Sequence, residues 1–159
     1  MSKYEAKCSC GNLKLNYNDD ILRTSVCHCF SCQQRTGSNY GAQVRLDKTK
    51  TTINGISTLY QRQGDSGNVI NYHFCPTCGS TVYWEIPSMP DCIIAAVGCF
   101  TNPMLHSPAM MVYGNRKHHW VQMPETAIEY FDDDDNNNDN DNNNDNDNNN
   151  DNDKNDVVK

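Results

Sequence analysis

Seven of the nine cysteines in this 159-residue chain fall in three clusters, Cys8-x-Cys10, Cys27-x-Cys29-x2-Cys32 and Cys75-x2-Cys78. Thiols at such spacings either exchange redox equivalents or hold a metal. "CSCG" and "CPTCG" share a glycine directly after the last thiol. A zinc knuckle turns the backbone tightly round its metal with amide N–H groups aimed at sulfur, and glycine tolerates the positive φ of that turn. Cys8, Cys10, Cys75 and Cys78 are therefore expected to form one closed, tetrahedral, structural Zn2+ site that ties the N-terminal hairpin to a later one. The alternatives are a redox pair at "CPTC" or free thiols, but no βαβ pattern surrounds the motif as a thioredoxin-like pair would need.

The remaining cluster, "CHCFSC", has three thiols and no obvious fourth ligand. Three protein ligands leave one tetrahedral position for water or substrate, which is the mark of a catalytic zinc. Cys27, Cys29 and Cys32 are the candidate catalytic ligands. His28 lies between two of them, and its side chain is expected to point away from a metal they hold. Three thiolates give Zn2+ a formal excess of one negative charge, which blunts its activation of water, while so soft a site favours another thiolate. A metal-bound thiol is deprotonated near neutral pH. The expected partner is thus a small thiol, and glutathione is the abundant cytosolic one. The alternative is a second structural zinc closed by His28, His73 or Cys92. Cys92 and Cys99 lie in or at the end of an apolar run and read as core filler.

Charge divides the chain. Positions 132 to 156 are all Asp or Asn apart from Lys154, and the segment from 132 carries 11 Asp against 2 Lys. The net charge of −7 therefore describes a tail over a nearly neutral body. The tail repeats "DNDNNN" at 139–144 and 145–150 with no apolar residue to stack, so 132–159 is expected to be disordered and 1–131 to be one zinc domain. Weak calcium binding is the other reading of the Asp residues. Scattered Lys and Arg make no basic stripe, so nucleic acid is not expected as a partner. Nothing resembles a signal peptide, and no run approaches the ~18 apolar residues of a membrane span. A cytoplasmic protein is expected, in which thiols stay reduced.

The elements that must position the thiols are strands. "KYEAK", "NLKLNY", "AQVRL", "STLYQR", "VINYHF", "STVYWEI" and "CIIAAVGCF" are short runs rich in Val, Ile, Tyr, Phe and Thr, separated by Gly, Asn, Asp or Pro. They predict a mainly β, mostly antiparallel fold. "NGIS" and "GDSGN" read as hairpin turns. No long amphipathic helix is expected, only a short helical turn at "SCQQRTG".

From about Tyr4 to Trp120 the chain resembles the glutathione-dependent formaldehyde-activating enzyme family, which shares its domain with centromere protein V. The resemblance rests on "CSCGNLKLNY", "CHCFSCQQRTGSNYGAQVRL" and "FCPTCGSTVYW". It implies an Mss4-like, or β-tent, fold with two Zn2+ per chain. Cys8, Cys10, Cys75 and Cys78 would hold the structural ion, and Cys27, Cys29 and Cys32 the catalytic one. The implied activity is that of a carbon–sulfur lyase run in the synthetic direction, joining formaldehyde to glutathione as S-(hydroxymethyl)glutathione. In that reaction a glutathione thiolate near Cys27, Cys29 and Cys32 attacks the formaldehyde carbon, with water, His28 or His73 supplying a proton. Arg35 is the candidate for a substrate carboxylate, because planar bidentate recognition suits that group, with Ser38 and Asn39 as hydrogen-bond donors. Trp120 is a candidate wall of the site. A non-catalytic interaction module of the centromere-protein type, and the same fold acting on another thiol or electrophile, are the competing readings. An acidic rather than basic extension points away from DNA.

Overall fold

The computed structural model describes residues 2–124 and the backbone of 129–131. In chain order the strands are β1 (Tyr4–Lys7), β2 (Lys14–Tyr17), β3 (Arg23–Cys27), β4 (Gly41–Asp47), β5 (Thr51–Asn54), β6 (Thr58–Gln63), β7 (Val69–Phe74), β8 (Thr81–Glu85), β9 (Cys92–Ala96), β10 (Met110–Val112) and β11 (Glu129–Phe131). One helix, α1 (Phe30–Thr36), lies between β3 and β4. The mainly β expectation holds.

β1, β2 and β5 make a small antiparallel sheet, and the other eight strands make a large one in the order β11-β10-β3-β4-β9-β8-β7-β6. Side chains alternate between the faces of a strand, and this alternation sorts the large sheet. Val44 and Leu46 of β4, Tyr83 of β8, and Ile93 and Ala95 of β9 pack with Ala6, Leu15 and Tyr17 of the small sheet in the main core. Each fully buried leucine there contributes about 1.5–3 kcal/mol of transfer free energy. The residues between them in sequence face the other way, where Tyr72, Trp84 and Ile94 form a separate cluster. That second face carries the cleft described below.

Every strand-like run named above contains a strand, although "CIIAAVGCF" ends in a 3-10 turn at Val97–Cys99. "GDSGN" closes the β6–β7 hairpin through a Gly64 N–H to Asn68 carbonyl bond of 2.7 Å. The hairpin expected at "NGIS" is not one. β5 pairs with β2 and β6 with β7, so this turn carries the chain from the small sheet to the edge of the large one. Asn-Gly supplies the positive φ, +99° at Gly55, where the backbone passes close to the carbonyl of Asn12. The mostly antiparallel pattern has two exceptions, since β10 runs parallel to both β3 and β11. The expectation for 132–159 falls outside the described residues.

Candidate metal centres and the adjoining cleft

Two loops bring four thiols together. Cys8 and Cys10 lie between β1 and β2, and Cys75 and Cys78 between β7 and β8. The four sulfurs lie within 4.8 Å of one another, with Cys8 and Cys10 3.5 Å apart and Cys10 and Cys75 3.6 Å apart. These separations are too long for disulfides and suit the ~3.8 Å edge of a tetrahedron with Zn–S bonds of ~2.3 Å. Gly11 and Gly79, the glycines after each pair, have φ of +80° and +74°. The Leu13 N–H donates to Cys8 Sγ at 3.2 Å. Hydrogen bonding with the Ser80 and Ser9 side chains draws Cys78 down to about 4, well into the thiolate form at neutral pH. The donor set, its spacing and its amide support fit a closed four-thiolate metal site.

The other three thiols come from one continuous segment. Cys27 ends β3, Cys29 is the N-cap of α1, and Cys32 sits in the helix's first turn, where its N–H donates to Cys29 Sγ at 3.4 Å. Gly37 in the left-handed conformation stops the helix. All three thiols are buried and their sulfurs also lie within 4.8 Å of one another, and among the described residues no other ligand group joins them. Hydrogen bonds with the Cys27 and Cys32 thiols hold Cys29 down at about 2, and the same pairing pushes Cys27 up. Three soft donors on one side fit a metal with its remaining position open.

The opening leads into a cleft of about 390 Å3 on the second face of the large sheet, a size within the ~300–1,000 Å3 typical of small-molecule sites. Its walls include Cys27, Cys29 and Cys32 at one end, Tyr72 and Trp84, and the guanidinium groups of Arg23, Arg45 and Arg62. Asp65 is the carboxylate there, and it already pairs with Arg62 and Arg116. Burial pushes the Tyr72 phenol up to about 12, so it remains protonated.

The other residues expected at the site are placed as follows. His28 is fully buried, with Nδ1 3.3 Å from the Asn39 carbonyl and its ring edge-on to Tyr40, so it turns away from the sulfurs as its position between two ligands requires. Burial depresses its pKa and keeps the ring neutral. His73 stacks on Tyr83 and bonds with Ser57, on the sheet face opposite the cleft. Arg35 stands beside the thiols: a β-carbon on Gly41 would meet Arg35 Nη2 at 3.0 Å and Cys32 Sγ at 3.6 Å. Its guanidinium covers Trp84 and Tyr72, at 4.6 and 5.2 Å from the ring centroids. Ser38 is exposed and Asn39 half-buried, and they bond to each other outside the cleft. Trp120 is 62% exposed and leans on His118. Cys92 and Cys99 belong to neither thiol cluster.

Sequence reasoning missed Arg23, Gln43, Arg45 and Arg62 as site residues. The signal was present, since alternation in "RTSVC" puts Arg23 and Ser25 on the face of Cys27, and "GAQVRLD" puts Gln43 and Arg45 opposite them.

This is a mainly β protein with a four-thiol and a three-thiol cluster that could each hold a metal ion, the second opening on a cleft. The sequence profile described as "Glutathione-dependent formaldehyde-activating enzyme" matches residues 3–116, and the chain belongs to that family. A crystal structure of a Rhodobacter sphaeroides protein from a structural genomics programme is similar at 22% identity and a TM-score of 0.49, covering 62% of this chain and 91% of that one. Among curated proteins, none matches.

Proposed function

We propose that this protein is a zinc-dependent enzyme of the carbon–sulfur lyase type that joins glutathione to formaldehyde as S-(hydroxymethyl)glutathione. The family supports a glutathione-related, formaldehyde-activating role. The observation that carries the finer reading is the asymmetry of the two thiol clusters: one has four sulfurs and is closed, and the other has three and opens on a cationic cleft. Cys8, Cys10, Cys75 and Cys78 hold a structural Zn2+ in this reading, and Cys27, Cys29 and Cys32 a second, exchangeable one, within a domain of 1–131. A zinc ion held by Cys27, Cys29 and Cys32 would supply a soft Lewis acid that favours the thiolate form of a substrate thiol.

The chain's own residues do the rest. Arg62 and Arg35 lend positive charge beside Cys29 and Cys32, which favours a substrate thiolate in the same place. The indole of Trp84 and the ring of Tyr72 exclude water from one wall. As the sulfur lone pair attacks the carbonyl carbon, a C–S bond forms and the C=O π pair moves to oxygen, which takes up one proton. No redox change occurs. Water entering the open cleft supplies that proton, with the Tyr72 hydroxyl as a second donor on its wall. The many reduced thiols suit a cytoplasmic setting.

The test is zinc content by elemental analysis before and after glutathione at cellular concentration, paired with the rate of S-(hydroxymethyl)glutathione formation by exchange NMR. Two zincs with one lost or shifted by glutathione, and a rate above the uncatalysed background, are the expected results. Two zincs indifferent to glutathione, with no rate above background, would leave a binding module of the centromere-protein type.

A further inference from the structure

Arg23 and Arg45 are direct register partners on β3 and β4, and both side chains enter the thiol cleft. Like charges placed directly across a ladder repel, and a carboxylate usually relieves them. Here, among the described residues, no carboxylate forms an ion pair with either. Burial and the neighbouring Arg23 charge together lower the pKa of Arg45. Arg23 Nε is buried with no hydrogen-bond partner, and so is Gln43 Oε1 one same-face step along β4. Two half-buried guanidiniums held together without a carboxylate make a place where an anion is electrostatically favoured.

The ladder also sets the distance. Successive same-face pairs run Arg23 and Arg45, Ser25 and Gln43, then Cys27 and Gly41. Four residues of strand separate Arg23 from Cys27, about 13 Å between Cα atoms. Glutathione carries its thiol on the middle residue, so about half of the ~10 Å that an extended tripeptide spans separates the thiol from a terminal carboxylate, and the reach of an arginine side chain covers the rest while the thiol lies at Cys27. Gly41, without a side chain, leaves the thiol end of this track open.

We propose that Arg23 and Arg45 form a carboxylate subsite that binds one end of glutathione and selects carboxylate-bearing thiols over neutral ones. This inference rests on the glutathione reading given above and assigns that substrate's anchor.

The experiment uses the zinc-loaded full chain and isothermal titration calorimetry with three probes: glutathione, S-methylglutathione, which keeps both carboxylates but has no free thiol, and 2-mercaptoethanol, a neutral thiol with no carboxylate. The variants are Arg23→Gln, Arg45→Gln and Arg45→Lys. Each Gln variant is expected to weaken both tripeptides about tenfold or more, as loss of a charge-assisted bidentate contact should, to leave 2-mercaptoethanol unchanged, and to melt no lower than wild type because repulsion is relieved. Arg45→Lys restores part of the affinity. Wild-type affinity for both tripeptides in the Gln variants overturns the subsite and leaves the thiol reading standing. Arg-dependent binding of S-methylglutathione without any response to glutathione's thiol keeps the subsite and overturns that reading. If neither tripeptide binds the wild type, both fall.

Discussion

The guanidinium of Arg35 lies over the indole of Trp84, 4.6 Å from the ring centroid, while its Nη2 faces the position where a Gly41 β-carbon would crowd Cys32. One side chain thus ties α1 to β8 and sets a positive charge next to a buried thiol. The stack needs a flat cation, and lysine cannot replace it. Arg35→Lys should keep the charge but lose the stacking, destabilising the protein by about 1–2 kcal/mol. Chemical denaturation checks this, and an unchanged midpoint would mean that the stack carries no stability.

Gly55 passes so close to the Asn12 carbonyl oxygen that a β-carbon has no room, and its φ of +99° strains any other residue. The contact fixes the β5–β6 crossover against the loop that follows Cys10. Gly55→Ala should cost about 1–3 kcal/mol through clash and strain together. Since that loop carries two ligands of the four-thiol cluster, the variant should also release zinc to a chelator faster than wild type. A melting temperature equal to wild type would show that Asn12 moves freely aside.

The thiol partition was legible because local spacing and the glycines at 11 and 79 encode it directly. The seven patterned strands were legible for a similar reason, as each carries its own alternation. β3 was missed because "RTSVC" mixes two polar residues into a buried strand, and β10 because three residues are too few for a period to register. The arginine pair was only half legible, because alternation gives each arginine its face but not its partner. Arg23 and Arg45 are 22 positions apart, and only the β3–β4 register brings them face to face. Polar residues alternating with valine and leucine read as a solvent face, and nothing local says that α1 and the β6–β7 hairpin turn that face into a cleft.

Residues 132–159 carry Asp, Asn and few other side chains, and the reading of 1–131 as the working unit makes a direct forecast. Deleting 132–159 should leave zinc content and glutathione affinity within about twofold of wild type, since a segment whose apolar residues are only Val157 and Val158 has little to contribute to a core. The deletion should change the net charge sharply and therefore the behaviour on anion exchange. Loss of zinc or of glutathione response in the truncated chain would assign the tail a role in the domain.

The sharpest forecast separates the two thiol clusters by what each substitution damages. Cys8 and Cys75 are buried within the main core, so the four-thiol site is continuous with the packing that holds the two sheets together. Structural zinc contributes its binding free energy to folding. Cys8→Ser and Cys78→Ser should therefore lower soluble yield and melting temperature and reduce zinc below one per chain. Cys29 instead caps a seven-residue helix on the opposite face, where a serine oxygen can still accept the capping N–H. Cys29→Ser should keep the fold, keep one zinc, and abolish the response to glutathione. Circular dichroism, thermal melts and elemental analysis on the three variants decide it. Unfolding of Cys29→Ser would mean that the three-thiol cluster also staples the domain, and its assignment as the working site would then be wrong.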